Sequence, residues 1–380
     1  MGKGLAIYVH WPFCLKKCPY CDFNSHVRPV ISHDQWRNAL LTELTHSAEY
    51  RPDAVITSIF FGGGTPSLMH PETVAAIIQA AKTHWPQSKN PEITLEANPT
   101  SVESKNFEAF KKAGVNRLSM GIQSLNDDAL TYLGRQHSSA EALAALETAN
   151  AIFGRTSFDL IYARPNQTPG QWQQELEQAI AYSRGHLSLY QLTIEPGTEF
   201  YRNNHQAMDA DLQADLYHLT TNITQQHGFQ AYEVSNYCQP GQASVHNLTY
   251  WQGGDYLGIG PGAHERIQSH DGWHAKHRIH NPERWMVSVD NLGHGIAKDQ
   301  IIQPRGRAKE ILMMSLRLQN GLSEQTLITQ TGLNFTDMID TGALNELIAH
   351  GFLTLADNTV SATPDGRLCL NAVLTKLLKA

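Results

Sequence analysis

The chain of 380 residues carries 29 Lys and Arg against 36 Asp and Glu, a net charge of −7, and is 41% hydrophobic and 17% charged. This is the composition of a globular protein with one large domain and a small one, and it excludes a general attraction to nucleic acid or anionic membrane. No apolar run is long enough to span a bilayer and the N-terminus lacks the regions of a signal peptide, so cytoplasm is the expected location.

A strand is predicted over Leu5–Trp11, followed by Cys14-Leu15-Lys16-Lys17-Cys18-Pro19-Tyr20-Cys21. Spacings of four and three would put three thiols on one helix face, but Pro12 and Pro19 argue for a loop. No paired-cysteine or histidine complement for zinc lies nearby. Three cysteine ligands suit a four-iron cluster with one iron left for an exchangeable group. Cys238 and Cys369 stand far apart and read as apolar residues of a reducing compartment, not as a disulfide framework.

Further strands are predicted over Ala54–Phe61, Glu92–Ala97, Arg117–Gln123, Ser157–Tyr162 and His186–Ile194, with helical patterns between them. Thr100 with Glu103 and Ser138 with Glu141 are capping boxes, for helices ending at Gly114 and near Gly154, and Pro169 opens a helix closed by Gly185. This β-α alternation predicts an α/β parallel sheet curled into a full or partial barrel. Polar residues gather at the strand exits: Gly62-Gly63-Gly64-Thr65-Pro66, Glu96, Gln123, and Asp159 within its strand. Barrel enzymes place their sites at the carboxyl ends of strands, so these groups are expected to meet the cysteine loop.

Later elements are a turn at Glu195–Thr198, a helix over Ala210–His227 and a short strand over Gln230–Val234. His270, His274, His277 and His280 have a spacing that could make a metal face on a helix, but Gly272 and Arg278 favour a solvated surface. From about Pro304 the pattern becomes helical: Lys309–Leu318, then Ser323–Thr331 and Thr336–His350 in the manner of a helix-turn-helix. A hairpin of Phe352–Leu355 with Thr359–Ala362 and a helix over Thr363–Leu378 complete a winged-helix pattern. The second helix carries Asp337, Asp340 and Glu346 without Lys or Arg, which favours a docking or lid module over DNA binding.

CxxxCxxC with an aromatic before its last cysteine resembles the signature of the radical S-adenosylmethionine (SAM) superfamily. The resemblance implies a [4Fe-4S] cluster on Cys14, Cys18 and Cys21, with SAM on the fourth iron, cleaved by one-electron reduction to methionine and a 5′-deoxyadenosyl radical. Gly62, Gly63, Gly64 and Thr65 resemble the motif that meets the methionine part of SAM. Glu96, Gln123 and Asp159, with Arg135, fall where the coproporphyrinogen-oxidase (HemN-like) branch contacts SAM. Tyr8 resembles an aromatic near the cluster. Gly258–His264 is similar to that branch's late glycine-rich segment, with Ile259 the expected adenine contact. Ala163-Arg164-Pro165 departs from the branch's Gly-Leu-Pro. The resemblance implies a partial (β/α)6 barrel with a late extension over residues 1–300 and a small winged-helix-like domain over 301–380.

That branch holds oxygen-independent coproporphyrinogen III oxidases, which decarboxylate two propionates, and HemW-type haem chaperones, which pass haem to respiratory proteins. Three features favour the chaperones. Phe23 stands where the oxidases carry a further cysteine, Cys14 arrives without their N-terminal extension, and His246-Asn247-Leu248-Thr249-Tyr250-Trp251 resembles the HNxxYW motif of the chaperones. The expected cofactors are therefore the cluster, SAM and haem. The expected partners are haem, haem-accepting respiratory proteins, an electron donor for the cluster, and membranes only peripherally through those partners. His246 is the expected haem ligand, with His264 its rival; from the residues alone, His246 reads as a satisfied turn histidine beside two core aromatics.

Overall fold

A strand turns successive side chains to opposite faces, and this alternation organises the molecule. A computed structural model describes residues 4–379. In β1 (Gly4–Trp11), Leu5, Ile7, Val9 and Trp11 are fully buried in the main core, while Tyr8 and His10 face the other way. The pattern recurs in β2 (Val55–Gly63), β3 (Gln87–Ala97), β4 (Arg117–Gln123), β5 (Arg155–Tyr162) and β6 (His186–Gln191). These six strands run parallel in sequence order.

The connecting helices cover the outer, apolar face, where Phe61, Leu95, Met120, Phe158 and Leu187 join the same core. The helix expected from Thr100 to Gly114 is two, Ser101–Ser104 and Phe107–Ala113, and the one expected to close at Gly185 ends at Tyr182, but other ends follow the sequence. Ser138 with Glu141 and Thr168 with Gln171 form complete capping boxes, and Gly114 closes its helix in the left-handed conformation at φ +113°. The inner face carries Glu92, Glu96, Arg117, Ser119, Ser157, Asp159 and His186 instead. Polar groups in such a place need partners, so the interior is a lined site and not a packed core.

The barrel does not close. Beyond β6 lie two short antiparallel strands, β7 (Gln230–Ala231) and β8 (Asn236–Cys238), and β7 forms one edge. On its other side β1 takes β9 (Asp255–Ile259) as a parallel neighbour, from Leu5 opposite Asp255 to Val9 opposite Ile259. Antiparallel β10 (His264–Ser269), β11 (Gly272–Arg278) and β12 (Ile296–Ile302) extend the sheet to its other edge. These late strands escape a sequence reading because the inward side chains of β11 are charged. Arg278 is buried between Glu43 (3.2 Å) and Glu265 (2.9 Å), and buried Lys276 lies 3.3 Å over the Tyr50 ring. Glu43 also accepts from the backbone of Gly260 and Gly295 and from Trp285 Nε1, so one carboxylate locks three segments together. The four histidines of 270–280 therefore lie on and around a strand, not a helix; His274 bonds Asp271 and Asp299 at 3.0 and 2.8 Å.

A second core gathers Leu312, Leu327, Leu347, Leu353, Val360 and Leu374. Around it lie a three-stranded sheet, β13 (Leu322–Ser323), β14 (Leu353–Ala356) and β15 (Thr359–Ala362), and a set of short helices. The helix expected over Thr336–His350 is two, Phe335–Met338 and Thr341–Ala349, because Asp340 caps a new start by accepting from Ala343 N. The helix expected over Thr363–Leu378 is likewise broken, at Cys369. This unit docks on the barrel through the Arg266–Glu310 ion pair (2.9 Å) and through Ser315, which donates to the Trp251 carbonyl (3.1 Å). No helix among the described residues is long and apolar enough to cross a membrane.

Candidate cluster and cofactor site

Past β1 the chain stays extended, and Phe13–Cys14 pairs with His26–Val27 in a two-residue parallel ladder that closes the cysteine loop. The loop is stitched to the exit of β2: Gly64 N donates to Trp11 O (2.7 Å) and Thr65 N to Phe13 O (2.8 Å). Two glycines are obligatory here. Gly63 sits at φ +114°, and a Cβ on Gly64 would lie 2.7 Å from the Phe13 carbonyl oxygen.

Cys14, Cys18 and Cys21 are unpaired, half-buried thiols facing one cleft of about 130 Å³, whose wall also holds Gly63, Gly64, Thr65, Glu96, Gln123, Arg135 and Asp159. Each sulfur has a polar neighbour: Thr65 Oγ1 donates to Cys14 (3.3 Å), Arg135 Nη1 to Cys18 (3.3 Å), and Ser25 Oγ lies 3.8 Å from Cys21. Burial pushes the Cys14 and Cys21 thiols up, against the pull of those hydroxyls. Among the described residues no three His, Cys, Asp or Glu side chains gather tightly enough for a single metal ion.

Opposite the thiols stand two carboxyls in need of a cation. Burial, with Asp159 nearby, pushes the Glu96 pKa up to about 8, against the Gly63 N–H (3.2 Å) that it accepts. Burial likewise pushes Asp159 up to about 6, against Ser188, Arg117 and Arg135. Arg135 spans the cleft, donating to Asn98 Oδ1 (2.6 Å) and the Gly121 carbonyl (2.5 Å), while its buried Nε has no partner. Gln123, at φ +74°, holds a backbone conformation that costs a non-glycine residue about 1–2 kcal/mol. Such strain is characteristic of functional sites.

The chain was then compared with known proteins. Residues 8–179 match the model of the Radical SAM superfamily and residues 302–369 that of the HemN C-terminal domain. The chain is 40% identical over 384 residues to Radical S-adenosyl methionine domain-containing protein 1, mitochondrial, of Mus musculus, covering 98% of this chain and 87% of that protein. This chain belongs to the radical SAM superfamily. It is also 35% identical over 378 residues to the Heme chaperone HemW of Escherichia coli K12, covering 98% of each. The structure of E. coli coproporphyrinogen III oxidase (HemN) has the same fold, with a TM-score of 0.83 at 22% identity over 99% of this chain and 90% of that one. Radical SAM membership implies a [4Fe-4S] cluster and SAM. The donor set fits both, since three thiols can ligate iron and two facing carboxyls can take up a cationic ligand.

Three residues expected at the radical SAM site, Gly62, Tyr8 and Ile259, lie outside this cleft. Gly62 is buried beneath it, where a Cβ would meet the Tyr8 and Phe60 rings at 2.8–2.9 Å. Tyr8 faces the barrel interior and bonds His10 Nδ1 (3.0 Å). Ile259 is fully buried in the main core and is absent from the cleft wall.

The structure places His246 farther away still. The motif folds as a short helix, Val245–Trp251, that plugs the opposite end of the barrel. His246 is 1% exposed, Nδ1 bonds Ser58 Oγ (2.9 Å), Nε2 bonds the Tyr250 hydroxyl (2.8 Å), and the ring stacks on Phe60. Burial, against the pull of Glu92, holds its pKa down at about 3. Both ring nitrogens are engaged, leaving none for iron. Asn247 serves Tyr232 (3.4 Å), not the imidazole, and Glu92 accepts the backbone N–H groups of Val245 and His246. Burial raises the Glu92 pKa, but Arg117, Arg155 and these N–H groups outweigh it and hold it low.

Sequence reasoning missed Asn98, which donates to Thr65 Oγ1 (3.2 Å) and receives Arg135, although it lies two residues beyond Glu96. It missed Asn24 as well, whose Nδ2 donates to the carbonyls of Pro261 and His280, both at 2.9 Å, tying the cysteine loop to the glycine-rich segment. At Ala163 the departure from the branch's glycine is tolerated: the alanine adopts φ +56°, and Arg164 turns inward to a buried pair with Glu175.

Proposed function

We propose that this protein is a haem chaperone of the radical SAM family, binding haem and delivering it to haem-accepting respiratory proteins. The observation that carries this reading is the likeness to the E. coli Heme chaperone HemW across 98% of both chains. In it Cys14, Cys18 and Cys21 hold the cluster, and SAM lies against Gly63, Thr65, Glu96, Gln123, Arg135 and Asp159. The bound cluster, reduced by one electron from a donor protein, supplies SAM cleavage. For its part the chain orients SAM by the Gly63 backbone, neutralises its charge with the two carboxyls, and excludes bulk water by seating the loop on Gly64. Residues 1–300 form the cofactor unit and residues 301–380 a docking module, in a reducing compartment suited to five unpaired cysteines.

The second reading is coproporphyrinogen III decarboxylation, favoured by the likeness in fold to the oxidase. Phe23 in place of the oxidases' further cysteine weighs against it. The deciding experiment incubates cluster-loaded protein with coproporphyrinogen III, SAM and reductant, and separately titrates it with haem. The chaperone reading expects haem binding and no decarboxylated product; turnover of coproporphyrinogen without haem binding would refute it.

A further inference from the structure

With His246 sealed in the barrel, a haem iron needs another ligand, and a cluster of imidazoles beside the cysteine loop supplies one. His264, His277 and His280 stand with ring centres 5.7, 6.3 and 6.5 Å apart. His264 and His280 are exposed, and among the described residues neither ring takes part in a hydrogen bond. The Nδ1 of His277 lies 3.5 Å from the Arg278 carbonyl, and no hydrogen bond is made by its Nε2 among the described residues.

Among the described residues no three His, Cys, Asp or Glu side chains are grouped as a bare metal ion needs. An iron already held by four porphyrin nitrogens needs only one or two axial imidazoles.

Porphyrin also needs apolar surface, and the adjoining loop leaves it open. Leu15, Phe23, Val27 and Val30 are 62%, 63%, 48% and 84% exposed, a concentration of apolar side chains on one short segment that calls for a ligand. Asn24, next to Phe23, is clamped to the carbonyls of Pro261 and His280, so loop and histidines form one continuous surface.

We infer that haem docks at the mouth of the cluster cleft, its iron ligated from the His264–His277–His280 group and its ring lying against Phe23. This rests on the chaperone reading and adds the ligand site to it. The test is a hemin titration followed by Soret absorbance, on wild type and on the combined variant His264→Ala/His277→Ala/His280→Ala, with cluster iron content as the control for folding. Iron-free protoporphyrin IX and Zn²⁺ are titrated in parallel. The expected result is hemin affinity at least tenfold weaker in the triple variant at unchanged cluster content. Wild type should bind hemin more tightly than protoporphyrin IX, and the variant should not discriminate. Unchanged Soret position and affinity in the triple variant would overturn this site while leaving the chaperone reading intact. A stoichiometric Zn²⁺ site that blocks hemin would make the histidines a bare-metal site and overturn it too. Absence of hemin binding by wild type would remove both.

Discussion

Glu96 offers the sharpest quantitative test, because burial holds its carboxyl far from its ordinary ionisation despite the opposing charge of Arg117. Replacing it by Gln preserves an acceptor for the Gly63 N–H, 3.2 Å away, and removes only the titration. The pKa rises from an ordinary 4.5 to about 8 on folding, through burial first and Asp159 second. A carboxyl with a raised folded-state pKa binds an extra proton in the folded state. Its contribution is therefore intact below pH 4.5 and is lost as pH climbs toward 8. At about 1.4 kcal/mol per tenfold in proton affinity, the full loss is roughly 5 kcal/mol. Water entering the cleft screens part of this, so the expected fall between pH 5 and pH 9 is about 2–5 kcal/mol. Urea unfolding of SAM-free protein across that range should show wild type losing stability up to pH 8, and Glu96→Gln losing only the smaller share of Asp159, whose pKa is raised to about 6. A cationic ligand reverses the preference, so SAM affinity of wild type should rise with pH toward 8 by up to about tenfold per unit, and in the variant that rise should level off above pH 6. Parallel stability curves for the two proteins would refute the burial argument.

Further outcomes are equally definite. Cys18→Ser should abolish cluster iron while Cys238→Ala retains it, as measured by iron and sulfide content. Gly64→Ala drives a methyl into the Phe13 backbone and should cost about 1–3 kcal/mol, with reduced cluster loading on reconstitution. Arg278→Met leaves buried Glu43 without its cation and Glu265 with Lys276 alone, and should cost about 3–5 kcal/mol in a denaturant titration. His246→Ala leaves the hydroxyls of Ser58 and Tyr250 buried without a partner, a loss of about 1–3 kcal/mol for each, yet hemin affinity should persist.

The amino-terminal half was legible because its signals are local. Cysteine spacing, capping boxes and runs of alternating strands each declare themselves within a dozen residues, and the cleft assembles from strand exits in sequence order. The late strands were not legible, because Lys276 and Arg278 look like surface residues until Glu43, far off in sequence, and Glu265, on the neighbouring strand, neutralise them. The setting of His246 was hidden for a related reason. A motif resemblance suggests a ligand, but whether the imidazole is free depends on Ser58 and Phe60, nearly two hundred residues away. Gly64 was legible as part of a turn, but the need for it, the Phe13 carbonyl at 2.7 Å, is a tertiary fact.

The pairing of β1 with both β2 and β9 has a consequence for biosynthesis. The strand that carries the cysteine loop is among the first parts of the chain to be made, yet one of its edges waits for residues 255–259. At about 5–20 residues per second, that wait lasts on the order of 10–50 s. During it the clamp on Asn24 from Pro261 and His280 does not exist either. The three thiols are therefore born onto an unfinished seat, open to oxidants and to stray metals, and iron–sulfur loading belongs to the end of synthesis. A chain truncated before residue 255 should carry every cysteine ligand and still fail to hold a cluster.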